Sequence, residues 1–182
     1  MKSKDDSGFT VWMTGLPASG KSTLAALAAQ KLVNDYGKKV ELLDGDEIRK
    51  GLSRDLGLSR EDREEHARRV SFVAKLLSRN GVVSIVALIS PYRVSRKEAR
   101  ETIGDSRFVE VYVRASLSEC KRRDPKGLYA KALRGEITNM TGIQDPYEAP
   151  EAPDIIVDTE GKRPEESAEE LLKGLERLGK LP

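Results

Sequence analysis

Residues 15–22 follow the pattern G-x-x-x-x-G-K-[ST], which constrains the fold more than any other part of the chain. β-branched and aromatic residues precede this run at 9–14, as in a buried strand, and helix-forming residues follow it at 22–30. A strand, a glycine loop and a helix N-terminus form a phosphate cradle, because loop N–H groups and the helix dipole both attract negative charge. The sequence therefore predicts a P-loop that binds a nucleoside triphosphate, rather than a chance glycine turn.

Individual positions of this motif have expected roles. Lys21 is expected to reach the β- and γ-phosphates, and the Ser22 hydroxyl is expected to bind Mg²⁺ that arrives with ATP. Arg123 is a candidate for stacking on the adenine ring. We predict ATP and Mg²⁺ as cofactors. The residues predicted to bind ATP are Gly15, Ala18, Ser19, Gly20, Lys21, Ser22, Thr23 and Arg123.

Five short apolar runs alternate with helical stretches along the chain. The predicted strands are 10–14, 40–43, 82–88, 108–113 and 155–157. This alternation predicts an α/β fold of the P-loop NTPase type, a five-stranded parallel sheet with helices on both faces. Capping boxes mark helix starts after Ser59 and Ser116, and Pro164 suits the start of the last helix. We expect one domain over 1–182, with residues 1–8 disordered.

Composition excludes several classes of partner. The net charge is +2, from 32 basic and 30 acidic residues, which gives no reason to expect nucleic acid. No apolar run reaches the roughly 18 residues of a membrane span, and the N-terminal residues lack a signal-peptide core. The single cysteine, Cys120, excludes an internal disulfide and is expected to be a small buried residue. These features predict a cytoplasmic protein without nucleic-acid or membrane partners.

Two carboxylates lie at the end of the second predicted strand. Asp44 and Asp46, followed by Arg49, are suited to hold Mg²⁺, to orient or deprotonate an attacking hydroxyl, or to bind a substrate hydroxyl. The pattern alone also fits an acidic turn that caps a helix.

The helix after Ser59 carries an apolar stripe at Ala67, Val70, Val73, Ala74 and Leu77. Arg63 and His66 lie on the same stripe, nearer the helix start. We therefore expect both side chains to point inward near the strand ends, where ligands bind in such sheets.

Residues 124–153 contain four of the eight prolines and three glycines, and read as neither strand nor simple helix. A long segment of this kind in a compact domain is usually a lid or a binding loop. We refer to residues 124–153 as the lid segment.

Several further motifs occur in a fixed order. They are Asp-Gly-Asp at 44–46, Ile-Ser-Pro-Tyr-Arg at 89–93, Arg-Asp-Pro-Lys-Gly-Leu-Tyr at 123–129 and Thr-Gly-Ile-Gln-Asp-Pro-Tyr-Glu at 141–148. With the P-loop, this series resembles the adenylyl-sulfate kinase (APS kinase) family from about residue 9 to 159. The resemblance implies transfer of phosphate from MgATP to the 3′-hydroxyl of adenylyl sulfate, giving 3′-phosphoadenylyl sulfate and ADP in sulfate assimilation. It also implies a homodimer.

The resemblance also implies roles for single residues. Asp46 is expected near the reacting ribose. Lys126 matches the lysine of the family's Lys-Gly-Leu-Tyr motif, which lies on the lid segment. Ser90 matches a serine cast as a phosphoserine intermediate, but no activating base for it is evident. The predicted catalytic residues are Lys21, Asp46 and Ser90. The predicted acceptor-binding residues are Asp44, Asp46, Arg49, Leu58, Arg63, His66, Ile89, Ser90, Lys126, Asn139 and Met140.

Three of these positions depart from the family pattern. Leu58 and Met140 stand where the family usually has phenylalanines that sandwich the acceptor adenine, and His66 stands where it usually has asparagine. Losing both rings removes stacking worth about 0.5–1.5 kcal/mol each. Two alternatives therefore stay open, a divergent kinase for another small nucleotide or sugar hydroxyl, and a non-catalytic nucleotide-dependent module.

Overall fold

Strands and helices alternate along residues 8–182, the part of the chain that this computed structural model describes. The strands are β1 (Thr10–Thr14), β2 (Val40–Asp44), β3 (Val83–Ala87), β4 (Phe108–Arg114) and β5 (Ile155–Asp158). The helices are α1 (Lys21–Asn34), α2 (Gly45–Lys50), α3 (Arg60–Arg79), α4 (Arg93–Ile103), α5 (Leu117–Arg123), α6 (Leu128–Leu133) and α7 (Pro164–Arg177). All five predicted strands are confirmed, with boundaries within one residue.

The five strands form one parallel sheet in the order β2-β3-β1-β4-β5. β1 is therefore central, and the loop that follows it opens between the ends of β3 and β4. Since the strands are parallel, all their carboxyl ends meet at one edge, and ligands of open α/β sheets bind there.

Helices cover both faces of the sheet, as predicted. Val11 and Met13 of β1 pack on one face in a cluster with α1 and α7. Trp12 points to the other face and packs with α3 and α4 residues. All five residues of β1 are buried, which is the pattern of a strand covered on both sides.

The predicted helix starts are confirmed by their caps. The Ser59 hydroxyl accepts a hydrogen bond from the Asp62 N–H at 3.1 Å, and the Ser116 hydroxyl accepts one from the Glu119 N–H at 3.2 Å. Pro164 is the first residue of α7.

The lid segment is more regular than predicted, because it contains α6. Gly127 caps this helix in the left-handed region with φ of 65°, and the Asp124 carboxylate accepts from the N–H groups of Tyr129 and Ala130. Tyr129 and Met140 then pack with the buried Cys120 in a small apolar cluster. The lid segment is thus a folded element with its own core.

Of the eight N-terminal residues predicted to be disordered, residues 1–7 lie outside the described part of the chain. The prediction is wrong for Gly8, which is buried. A Cβ atom at this position would lie 2.4 Å from the Ser78 carbonyl oxygen, so the close packing requires glycine. No helix within residues 8–182 is long and apolar enough to cross a membrane.

Candidate active site

The P-loop joins β1 to α1 at the carboxyl edge of the sheet. Ala18 and Gly20 have positive φ angles of 64° and 98°, which curl the loop around its own N–H groups. A Cβ at Gly15 would lie 2.4 Å from the Val113 carbonyl oxygen, so only glycine lets the loop pass beside β4. The first turn of α1 contains no acidic residue, which leaves its positive end free to attract an anion.

Lys21 is buried at the first position of α1, with 8% of its surface exposed. Its ammonium donates to the carbonyl oxygens of Gly15 at 2.8 Å and Leu16 at 2.7 Å. Burial lowers the pKa of Lys21 to about 8, although nearby carboxylates such as Asp44 act in the opposite direction. The P-loop therefore holds a desolvated cation, which phosphate oxygens would stabilise.

Ser22 and Asp44 are joined across the carboxyl edge. The Ser22 hydroxyl donates to Asp44 Oδ2 at 2.6 Å, and Asp44 Oδ1 accepts from the Asp46 N–H at 3.0 Å. Asp44 was predicted to bind the acceptor, but its carboxylate is committed to Ser22 and to the cap of α2. The structure therefore places Asp44 with the residue predicted to bind Mg²⁺.

Asp46 projects from the first turn of α2, exposed at the edge of the cavity, and forms an ion pair with Lys126 of the lid segment. The two residues are 80 positions apart, so the pair ties the lid segment to the end of β2. A carboxylate and an ammonium thus face each other beside the P-loop.

Arg63 and His66 point inward from α3, as the stripe predicted. Arg63 donates to the carbonyl oxygens of Leu58 at 3.1 Å and Asn139 at 2.7 Å. His66 is 5% exposed, and within residues 8–182 neither ring nitrogen has a hydrogen-bond partner. Burial, reinforced by the positive charges of Arg49, Arg63 and Arg69, lowers the pKa of His66 to about 4. The ring is therefore neutral, with one donor and one acceptor available to a ligand.

Ser90 follows β3 and is buried with a φ of 37°, a conformation that costs energy for a residue other than glycine. Its hydroxyl accepts a hydrogen bond from Trp12 Nε1 at 3.2 Å. Within the described residues, no histidine, lysine or carboxylate contacts this hydroxyl, so it lacks a base that would activate it as a nucleophile.

One cavity of about 770 Å³ connects these groups, a volume within the usual range for ligand sites. Most of the predicted site residues line it, namely Ala18, Gly20, Lys21, Ser22, Thr23, Asp44, Asp46, Arg49, Arg63, His66, Ile89, Ser90, Arg123 and Lys126. The P-loop lies at one side of this cavity, and Arg49, Arg63 and His66 lie at the other.

Five predicted site residues are not on the cavity wall: Gly15, Ser19, Leu58, Asn139 and Met140. Gly15 and Ser19 belong to the P-loop but do not line the cavity, and Ser19 is fully buried. Met140 packs into the apolar cluster of the lid segment, and the exposed Leu58 side chain lies outside the cavity. Leu58 and Asn139 reach the site only through their carbonyl oxygens, which hold Arg63.

The part of the cavity wall that follows β5 was not predicted from the sequence. Its residues include Thr159, Gly161, Lys162, Pro164 and Ser167. Thr159 donates to the Ser19 carbonyl oxygen at 2.7 Å, and its own carbonyl oxygen accepts from Arg123 at 2.9 Å. Arg123 also donates to Glu119 at 2.8 Å, which fixes the guanidinium at the cavity. A signal existed, because residues after β5 must lie at the same edge as the P-loop.

Comparisons with known proteins agree with this geometry. A probable adenylyl-sulfate kinase of Pyrococcus abyssi is 54% identical over 175 residues, covering 96% of this chain and 99% of that protein. An adenylyl-sulfate kinase of a Picosynechococcus strain is 51% identical and covers 94% and 96%. The structure of Mycobacterium tuberculosis APS kinase CysC in complex with AMPPNP and APS matches with a TM-score of 0.89, at 46% identity, over 93% of this chain and 98% of that one.

The family model described as adenylylsulphate kinase matches residues 7–158, a span that runs from the strand before the P-loop to the end of β5. With the fold, the cavity and these relatives in agreement, the chain belongs to the adenylylsulphate kinase family.

Proposed function

We propose that this protein transfers the γ-phosphoryl group of ATP to the 3′-hydroxyl of adenylyl sulfate, producing 3′-phosphoadenylyl sulfate and ADP. The observation that carries this proposal is the single cavity with a P-loop at one side and a pocket rich in basic groups at the other. Such a cavity can hold a phosphoryl donor and an anionic acceptor side by side, and phosphoryl transfer depends mainly on positioning and charge stabilisation.

On the donor side, the P-loop N–H groups and Lys21 would bind the phosphates of ATP. Arg123 would contact the base, because Glu119 and Thr159 hold its guanidinium at the cavity wall. Transfer leaves negative charge on the leaving oxygen, and a buried ammonium stabilises such charge strongly since little water screens it.

Mg²⁺ fits the residues beside the P-loop. Ser22 and Asp44 present a hydroxyl and a carboxylate 2.6 Å apart, and these are the hard oxygen ligands that Mg²⁺ prefers. Within residues 8–182 no group of three or more His, Cys, Asp and Glu side chains is arranged to hold a metal ion, which suits an ion held mainly by phosphates and water. When bound, Mg²⁺ would neutralise charge on the phosphates; Ser22 would hold it, with Asp44 orienting that hydroxyl.

On the acceptor side, Asp46 is the candidate to orient the attacking hydroxyl and accept its proton. The carboxylate is exposed at the cavity and pairs with Lys126 of the lid segment. Arg49 and Arg63 would bind the anionic part of adenylyl sulfate, and the neutral His66 ring would supply the remaining hydrogen bonds.

The test is a coupled assay with a panel of acceptors. ATP and Mg²⁺ are offered with adenylyl sulfate, with adenosine 5′-monophosphate or with gluconate, and ADP release is followed. We expect turnover that requires adenylyl sulfate. Turnover only with another acceptor would identify a divergent kinase, and ATP binding without turnover would identify a non-catalytic module.

Two variants of His66 test, in the same assay, whether its ring makes a hydrogen-bonding contact with adenylyl sulfate. His66→Asn keeps one donor and one acceptor at the site, whereas His66→Leu removes both. We expect His66→Leu to raise the KM for adenylyl sulfate at least tenfold, with the KM for ATP unchanged, because a buried polar contact is lost. His66→Asn is expected to stay within about threefold of the wild type. Equal KM values for His66→Leu and the wild type would exclude this contact.

Two further properties remain proposals. Homodimer formation was predicted from the resemblance, and sedimentation equilibrium of the purified protein tests it directly. A cytoplasmic location suits an enzyme that uses ATP, and fractionation of the source cells would test that.

A further inference from the structure

A buried arginine outside the cavity connects three separate parts of the fold. Arg96 of α4 is 3% exposed, and its guanidinium donates in three directions. Nε donates to Glu110 of β4 at 2.9 Å, one terminal nitrogen donates to the Ser90 carbonyl oxygen at 2.6 Å, and the other donates to the Glu148 carbonyl oxygen at 2.6 Å. Two of these three acceptors are backbone groups, so the arginine fixes chain positions as well as a charge.

The first backbone contact supports a strained turn. Ser90 has a φ of 37°, and such a conformation persists only when surrounding groups hold it. Thr14, the last residue of β1, supplies a second support, because its hydroxyl donates to the Ile89 carbonyl oxygen at 2.7 Å. Ile89 and Ser90 line the cavity beside the end of β1, from which the P-loop starts. The hydrogen bonds from Arg96 and Thr14 therefore fix the position of this turn relative to β1, the strand that precedes the P-loop.

The second backbone contact fastens the C-terminal root of the lid segment to the same turn. The Glu148 N–H donates to the Pro91 carbonyl oxygen at 2.8 Å, and the Glu148 carboxylate accepts from the Arg93 N–H at 2.8 Å. Arg96 adds a third contact, because its guanidinium donates to the Glu148 carbonyl oxygen. These three hydrogen bonds join the root to the Ser90 turn, and Arg96 donates one of them.

We infer that Arg96 is a positioning residue for the acceptor. By holding the Ser90 turn and the root of the lid segment together, it sets the distance between the acceptor side of the cavity and the lid residues that close over it. Arg96 itself does not line the cavity, so its effect is exerted through the carbonyl oxygens of Ser90 and Glu148. As a statement about the acceptor, this inference rests on the proposed function.

Arg96→Lys and Glu110→Gln form a matched pair of variants. Lysine keeps the positive charge near Glu110 but lacks the planar guanidinium, whose three separate nitrogens reach Glu110 and the two carbonyl oxygens in three directions, so at least one carbonyl contact is lost. Glutamine at 110 removes the negative charge and leaves the two carbonyl contacts of Arg96 in place. Both variants disturb the buried ion pair, so a loss of stability is expected from either.

Steady-state kinetics well below the melting temperature separate positioning from stability. For Arg96→Lys we expect the KM for adenylyl sulfate to rise at least tenfold and the KM for ATP to change less than twofold. For Glu110→Gln we expect both values to stay within twofold. An unchanged acceptor KM in Arg96→Lys, or equal increases in both variants, would overturn the inference.

Hydrogen exchange in the ligand-free protein provides a readout that needs no substrate. We expect the Glu148 amide to exchange at least tenfold faster in Arg96→Lys than in Glu110→Gln, and equal rates would overturn the inference. This result stands even if the wild type fails to use adenylyl sulfate, which would refute the proposed function alone. If Arg96→Lys does not fold, Arg96→Gln is made in the Glu110→Gln protein, so that no buried charge is left unpaired, and Glu110→Gln is its control. An unchanged acceptor KM and unchanged exchange at Glu148 relative to Glu110→Gln would then overturn the inference.

Discussion

Replacing Lys21 with methionine tests how a buried cation drives the reaction. Methionine keeps most of the side-chain volume and removes the charge, so the P-loop keeps its packing while the phosphates lose their ammonium. Loss of one preorganised electrostatic contact typically lowers turnover by roughly 100- to 1,000-fold. We expect the turnover of Lys21→Met to decrease by a factor in this range.

The pKa of Lys21 adds a quantitative pH signature. With a value of about 8 in the free protein, about nine molecules in ten carry the charge at pH 7 and about one in ten at pH 9. The kcat/KM for ATP reports ionisations of the free enzyme, so it should fall about tenfold between pH 7 and pH 9. Lys21→Met should lack this fall.

Stability carries an independent signature of the same group. The folded protein releases the Lys21 proton near pH 8, whereas the unfolded chain keeps it up to about 10.5. The unfolded state therefore binds more protons in this window, and the free energy of unfolding rises with pH across it. The rise attributable to Lys21 is about 3 kcal/mol, and it should be absent from Lys21→Met.

The assays are steady-state kinetics at saturating adenylyl sulfate and urea unfolding, each between pH 7 and pH 10. Lys97→Met is the control, because Lys97 is exposed on α4 and pairs only loosely with Glu101 at 3.9 Å. We expect the control to behave as the wild type in both assays. Near-normal turnover in Lys21→Met, or a fall of kcat/KM that persists in it, would refute this reasoning.

Four further predictions concern the acceptor side and the lid segment. Asp46→Asn removes a base while keeping its shape, so turnover should fall roughly 10²- to 10⁴-fold with ATP affinity intact by calorimetry; loss of ATP binding alone would place Asp46 in the metal site. Ser90→Ala should retain measurable activity, and a chiral thiophosphate donor should show inversion at phosphorus; retention of configuration would establish a phosphoserine intermediate. Leu58→Phe should leave the KM for adenylyl sulfate essentially unchanged, because the exposed Leu58 side chain lies outside the cavity, whereas Met140→Phe should overfill the lid cluster and lower Tm by about 5 °C; a clear fall of the acceptor KM or an unchanged Tm would contradict the respective expectation.

The sheet and the P-loop were readable from sequence because their signals are local. Residues 10–14 are β-branched, aromatic or apolar and precede a glycine loop, so the central strand and its phosphate site follow from propensity and motif alone. The serine caps at Ser59 and Ser116 are equally local. Arg63 and His66 followed from helical periodicity, since one stripe determines which side chains face the sheet.

Contacts between distant segments were harder to predict. Asp44 is predicted as an acceptor residue, and its contact with Ser22 of α1, whose hydroxyl lies 2.6 Å from the carboxylate, could not be predicted from the sequence. Met140 matched a family aromatic by position, yet tertiary packing draws it into the lid cluster. The wall at Thr159 depends on β5 lying beside β4, which only the strand order establishes.

The most direct test of the central claim follows the γ-phosphate itself. ATP labelled at the γ-phosphorus is incubated with the protein, Mg²⁺ and adenylyl sulfate, and the nucleotide product is isolated and treated with a 3′-nucleotidase. We expect one label to be transferred to the nucleotide for each ADP formed. The 3′-nucleotidase should then release that label and regenerate adenylyl sulfate. Label found only as free phosphate, or on a position that the 3′-nucleotidase does not cleave, would contradict it.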